Sequence, residues 1–437
     1  MDPRLISVLS EGPATATVLA QRLDTSQPTV SRLIEASRAE VAVLGRRRST
    51  RYGLYRQVRD LPAETTVHRI SREGESSPIG TLIPLRPEHF WFENREDPQR
   101  SALFQSLPWF MTDMRPQGYL GRLFPATFPE LQLPDHVAHW NEDHALYALA
   151  RRGEDAVGNL IVGDESLARW LAQAHLTRAI AREDRWRAYL VLAERTLAGE
   201  VTGSSAGGDF PKFGAEITAG DSSQHVLVKF SSSLDTRAGQ RWSDLLLAEH
   251  LASEVLTEHD HPAAASEFQT QGQRAFLEVQ RFDRSGARGR IGLVSLAAMD
   301  DQFVGQRVGW PESSAVLRRL GRISIDDARE LRWLSAFGTL IANADMHLGN
   351  ASFFHDGRAL RLAPAYDMLP TTFGPLRDEV VERQYEIPVP RAGHADQWRA
   401  ALPVARAYWD RVAADARASA EFQEIARGAT MKLRPLS

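Results

Sequence analysis

The hydrophobic positions of the first residues recur at helical spacing, broken by polar turns. Leu5, Val8 and Leu9 predict a short amphipathic helix stopped at Gly12-Pro13, and Val18, Leu19 and Leu23 mark a second. Asp24-Thr25-Ser26 reads as a turn with capping residues. Gln27-Pro28-Thr29-Val30-Ser31-Arg32 then opens a third helix, with proline in the first turn, where its missing N–H costs nothing. The period then changes. Residues 41–44 and 52–55 read as strands flanking the tip Gly45-Arg46-Arg47-Arg48-Ser49-Thr50-Arg51. Short alternations at 66–70, 80–85 and 89–93 predict a small sheet, with the aromatic-rich run 107–122 packed beneath it. Residues 135–200 read as mostly helical with one strand at 158–162, and 201–295 as strands around a helix at 243–256. Beyond 296 the pattern is helical, strongest over 326–343. Strands and helices in separate blocks predict an α+β chain, divided at 1–60, 61–295 and 296–437.

Composition narrows the class. A chain of 437 residues exceeds one ordinary domain. It has no cysteine, which excludes disulfides, thiolate metal sites and cysteine nucleophiles. No apolar run reaches membrane-spanning length and Met1-Asp2-Pro3-Arg4 lacks the pattern of a secretory signal, so the expectation is a cytoplasmic protein with no membrane partner. Charge is uneven: residues 1–57 hold nine arginines against five acids, in a chain whose net charge is −4. A basic head on an acidic body suggests a polyanion-binding module. Helix, turn and helix followed by an arginine-tipped hairpin is winged helix-turn-helix order. Gln27, Thr29, Ser31 and Arg32 are thus candidates for base contacts and Arg46, Arg47, Arg48 and Arg51 for phosphates. A helical hairpin with a solvated basic turn is the plain alternative. Winged heads commonly pair on palindromic DNA, which leaves a homodimer open.

The candidate chemistry begins with lysine. Only three occur, and two of them, Lys212 and Lys229, follow the run Gly203-Ser204-Ser205-Ala206-Gly207-Gly208. A glycine loop, then a strand ending in a lysine, is how kinases hold a nucleotide; chance in an arginine-biased chain is the alternative. Glu249 lies on the same helix face as Leu245, Ala248, Ala252 and Leu256. A carboxylate facing a core needs a partner, and Lys229 is the natural one. Further on, Asp345 and Asn350 stand at the interval of the base and metal-binding asparagine in kinase catalytic loops. A predicted hairpin then returns Asp367 toward Asn350. One carboxylate to orient a hydroxyl, with an Asn/Asp pair to hold Mg²⁺ on ATP, is what phosphoryl transfer requires. Each of these residues taken singly also fits a cap or a turn, and His347 a structural hydrogen-bonding role.

Taken together, Ser204 to Phe213, Val228-Lys229-Phe230, Gln280-Arg281-Phe282-Asp283-Arg284, Asn343 to Asn350 and Ala363 to Leu369 resemble the HipA family of serine/threonine kinase toxins. The match covers roughly residues 60–435. The leading helix-turn-helix and the stretch Met114 to Arg122 are similar to its YjjJ-like (HipH) branch. The resemblance implies a two-lobed, protein-kinase-like HipA fold that uses ATP and Mg²⁺. It implies Asp345 as catalytic residue, supported by Lys229 and Glu249, with Lys229 on the nucleotide phosphates and Asn350 and Asp367 on the metal. Gln280 and Phe282 would border adenine. Gly203, Ser204, Ser205, Gly207 and Gly208 would cover the phosphates, with Ser204 or Ser205 autophosphorylated to switch the kinase off. A HipB-like antitoxin is the implied partner; the protein substrate is not specified. Gly349 stands where relatives often carry lysine, and Gly-Gly-Asp-Phe-Pro-Lys where many have a glutamine. Two other classes remain: a transcription regulator with a weak, nucleotide-sensing kinase-like body, and a metal-dependent DNA nuclease toxin.

Overall fold

The computed structural model describes residues 2–46, 50–173, 179–199, 210–220, 222–356, 360–376, 379–387, 389–390 and 393–434. Three helices come first: α1 (Pro3–Ser10), α2 (Ala16–Arg22) and α3 (Gln27–Ala36). Asp2, Thr15 and Ser26 cap them by accepting from the N–H of Arg4, Val18 and Thr29. Each such cap contributes about 1 kcal/mol, which matters for helices this short. Leu5, Leu9, Leu19, Val30 and Ile34 form their common core. Strands β1 (Val41–Leu44) and β2 (Arg51–Leu54) follow as an antiparallel hairpin.

The next unit runs β3 (Thr65–Ile70), β4 (Ser76–Leu85), β5 (His89–Asn94), β6 (Ala102–Phe104), α4 (Gly118–Thr127), α5 (Glu142–Arg152), β7 (Leu160–Val162) and α6 (Asp164–Gln173). Its five strands lie in the order β6-β5-β4-β3-β7. Phe110, Met111 and Met114 pack with Val67, Leu82 and Phe92 beneath the sheet, as the aromatic-rich run predicts. The head is knitted to this sheet. Ala42 and Leu44 share a core with Ile83, Leu85 and Trp91, and Tyr55 pairs with Leu85. Arg56 donates to the carbonyls of Leu85 and His89 and bonds Asp143.

A second five-stranded sheet comes from β8 (Ile180–Ala181), α7 (Arg185–Leu197), β9 (Lys212–Ala219), β10 (Ser222–Phe230), α8 (Arg237–Glu258), β11 (Ser266–Gln271) and β12 (Arg274–Gln280), ordered β11-β12-β10-β9-β8. Helix α8 begins at Arg237, earlier than the apolar pattern predicts, because Thr236 caps it by accepting from Gly239 N–H at 3.0 Å. Gly239 hides this start: a Cβ there would meet the Ser233 carbonyl oxygen at 1.9 Å, so the turn admits no side chain.

The rest is mainly helical: β13 (Arg284–Ser285), β14 (Gly289–Arg290), β15 (Leu293–Ser295), α9 (Leu296–Phe303), α10 (Trp310–Arg319), α11 (Ile325–Leu340), β16 (Ser352–His355), β17 (Leu360–Leu362), α12 (Ala395–Ala414) and α13 (Ala420–Leu433). Helix α11 stops at Leu340 rather than at Asn343, because Ala342 takes a left-handed φ of +62° and turns the chain. Strands β15, β16 and β17 form a small sheet, and α8, α11, α12 and α13 share the largest core. Among the described residues no helix is long and apolar enough to cross a membrane.

Candidate active site

Lys229 is placed by strand alternation. Val226, Val228 and Phe230 join Phe213 and Phe276 in a core on one side of the sheet. Leu227 and Lys229 must then face the other way, where they line a cleft of about 420 Å³ between the sheet and the helical part. Lys212 is the register partner of Lys229 on β9 and lines the same cleft. Both lysines are buried. Opposite them, α8 presents Glu249, buried among Leu245, Ala252 and Leu256.

The pairing expected from burial is present. Lys229 Nζ donates to both carboxylate oxygens of Glu249 at 2.8 Å, and also reaches Asp367 Oδ1. Burial alone would lower the Lys229 ammonium's pKa, but Asp367 and then Glu249 outweigh it and hold the amine charged. Burial works to raise Asp367 as well, yet the Lys229 ammonium brings its carboxyl below the ordinary range. For Glu249 burial dominates and its carboxyl is raised, with the charge of Asp367 adding to the effect. One ammonium therefore serves two acids that cannot both be fully satisfied.

The segment that supplies Asp367 is held in a left-handed turn, φ +55°. Asn343 fixes it by donating Nδ2–H to the Asp367 carbonyl at 3.0 Å. Through Oδ1, the same Asn343 accepts from Asp345 N–H at 3.0 Å and from Thr371 Oγ1 at 3.1 Å. Asn350 is buried in a short 3-10 turn and donates Nδ2–H to the Asp345 carbonyl at 2.9 Å. That leaves the Asn350 amide oxygen as the end able to meet a cation. An asparagine oxygen with one carboxylate suits Mg²⁺, which usually takes its remaining ligands from substrate phosphates and water. Among the described residues no group of three or more acids or histidines could hold a metal by itself.

The cleft thus gathers Lys229, Glu249, Gln280, Phe282, Asn350 and Asp367. Gln280 ends β12, and Phe282 meets Phe354 edge-on at 5.8 Å and Tyr366 at 5.8 Å, joining the strand to the helical part. Asp345 is not a lining residue; its side chain is exposed and its backbone is one hydrogen bond from Asn350. Gly203, Ser204, Ser205, Gly207 and Gly208 lie outside the described residues, as do Arg47 and Arg48. On the head, Gln27, Ser31, Arg32, Arg46 and Arg51 are exposed and Thr29 is half-buried. Lys212 stands out in the sequence as one of three lysines, and its register with Lys229 is what brings it into the cleft. Asn343 acquires a role only through its bond to Asp367.

The described fold mixes helix and sheet and is similar to a chain of the HipA, HipB and operator DNA complex from Shewanella oneidensis MR-1. The TM-score is 0.55 at 14% identity, covering 85% of this chain and 97% of that one. A looser likeness, TM-score 0.35 at 12% identity over 51% of this chain and 92% of the other, is to the Helicobacter pylori proinflammatory kinase CtkA, and nothing rests on it. Residues 61–171 match the family model described as YjjJ-like toxin, middle domain, and residues 204–433 the one described as HipA-like C-terminal domain. Over 439 residues the sequence is 35% identical to Toxin YjjJ of Escherichia coli (strain K12), covering 99% of this chain and 97% of that one. The chain belongs to the YjjJ-like toxins of the HipA-like family.

Proposed function

We propose that this protein is a Mg·ATP-dependent serine/threonine protein kinase whose N-terminal winged helix-turn-helix binds DNA. The observation that carries the proposal is Lys229 held between Glu249 and Asp367 at the wall of the cleft. A helix carboxylate that positions a strand lysine, beside a second carboxylate suited to metal, is the arrangement phosphoryl transfer uses. ATP would enter with adenine near Gln280 and Phe282 and with its phosphates toward Lys229. Mg²⁺ would be held by Asn350 and Asp367 and would neutralise charge on the phosphates. Asp345, exposed on the loop that carries Asn350, would accept the proton of an incoming hydroxyl. The units at 1–60, 61–295 and 296–437 would carry DNA binding, nucleotide binding and catalysis.

The exposed face of α3 supports the DNA assignment, since Gln27, Ser31 and Arg32 can meet base edges while Arg46 and Arg51 meet phosphates. The HipA complex with HipB and operator DNA makes a HipB-like antitoxin the partner class to test. A nuclease would leave the buried lysine–glutamate pair without a role. Intact-mass spectrometry after Mg·ATP treatment tests the kinase assignment. A mass gain of one phosphate, mapped to Ser204 or Ser205 and lost in Asp345→Asn, is expected. No gain, together with no ATP-dependent rise in Tm, would overturn it.

A further inference from the structure

Behind the candidate nucleotide cleft lies a second cavity of about 370 Å³, and its wall carries more positive charge than its acids can match. Arg281 and Arg284 converge on Asp155 and Asp283. Arg281 bonds Asp155 and Asp283 at 3.0 Å, while Arg284 bonds them at 2.9 and 2.7 Å. Both bonds to Asp155 fall on Oδ1, whereas Asp283 uses both of its oxygens. Arg290 is a third buried guanidinium, 4% exposed; among the described residues it forms no ion pair, and Asp155 and Asp283 act on it only through space. Its Nη2 donates to the Glu154 carbonyl, and its Nη1 is buried without a partner among the described residues. Arg288 beside it has Nε and Nη2 in the same condition, with its guanidinium over the Trp170 ring at 4.4 Å.

Arginine cannot shed its proton to escape an unpaired burial. A buried charge without a counter-charge is costly, and so are buried donors left without an acceptor. The remaining acids of the wall do not supply one. Glu216 accepts from Ser223, and Glu154 has its carboxyl raised by burial, with no partner for Oε2 among the described residues. His225, also in the wall, is lowered by burial and so stays uncharged. Across from the arginines the lining turns apolar, with Met114, Leu120, Phe124 and Val226.

We propose that this cavity is a binding site for a small organic phosphate, with the phosphate on Arg288 and Arg290 and the organic body against the apolar wall. Guanidinium forks match phosphate oxygens two at a time, which a bare carbonyl partner does not exploit. The site is separate from the candidate nucleotide cleft, although Arg281 borders both, and it stands without the kinase proposal.

The test uses the full chain with two probes, inorganic phosphate and phenyl phosphate, by isothermal titration calorimetry. Phenyl phosphate should bind at least about tenfold more tightly, because its ring buries apolar surface that the inorganic ion lacks. Arg290→Gln should abolish binding of both probes, and Lys229→Ala should leave it intact. Should Arg290→Gln fail to fold, Arg288→Gln gives the same readout from a half-buried position, with a weakening of about tenfold expected for one lost charge-assisted pair. The proposal is overturned by binding that survives both arginine changes or disappears in Lys229→Ala. Equal affinity for the two probes, or no binding at millimolar concentration, overturns it as well.

Discussion

Replacing Lys229 by methionine keeps most of the side-chain volume and removes the charge, so its consequences follow from the three-group cluster. In Lys229→Met the carboxyls of buried Glu249 and half-buried Asp367 lose the ammonium that both contact. Removing one partner of a buried ion pair costs about 3–5 kcal/mol. For a cooperative unit of about 150–250 residues, 1 kcal/mol lowers Tm by roughly 2–4 °C, so a fall of about 6–20 °C is expected at pH 7. Thermal unfolding followed by circular dichroism measures it. The deficit should narrow in acid, because protonating the two carboxyls removes the repulsion that the substitution exposes. Adding Glu249→Gln to Lys229→Met should recover part of the Tm while ATP binding stays lost, which separates the lysine's structural role from its functional one. A fall below about 2 °C at pH 7, or a deficit that does not narrow in acid, would refute the cluster as the source of the effect.

His355 packs on Trp109 at 5.2 Å, and burial pushes its imidazole down to about 4. The unfolded chain then takes up a proton near the ordinary 6.5 that the folded chain refuses, so stability should decline as pH falls from about 6.5 to about 4. In His355→Gln that decline should be smaller by urea titration; identical curves would contradict it. On the head, Arg46→Ala and Arg51→Ala should each weaken DNA binding and flatten the log–log salt dependence by about 0.9 for every phosphate contact removed. Fluorescence anisotropy across a salt series reads this, and an unchanged slope in both variants would exclude those arginines from the interface.

What the sequence discloses about this site depends on where its constraints act. The Lys229–Glu249 pair is legible because a carboxylate on an apolar helix face has few affordable explanations, and one strand lysine lies within reach. Asn350 is found in the cleft at the fixed interval after Asp345, while Asp345 itself, on the same loop, lies outside the lining. Asn343 is hidden because its work is done across the chain, on the Asp367 carbonyl, and leaves no local pattern. The same holds for β7 beside β3, and for the parallel β8–β9 contact, since strand order is set by long-range pairing that periodicity does not encode. The helix boundaries at Arg237 and Leu340 were displaced by a glycine that must be bare and an alanine in a left-handed turn.

The seam around Tyr55 and Arg56 has a mechanical consequence. A head tethered by a slack linker could grip an operator while the remainder tumbled freely. Here β2 leads directly into hydrogen bonds with the neighbouring sheet, and Arg56 reaches across to Asp143. If α3 enters a groove, everything behind it arrives at a set angle, so two copies on a symmetric operator would present their clefts in one fixed mutual orientation.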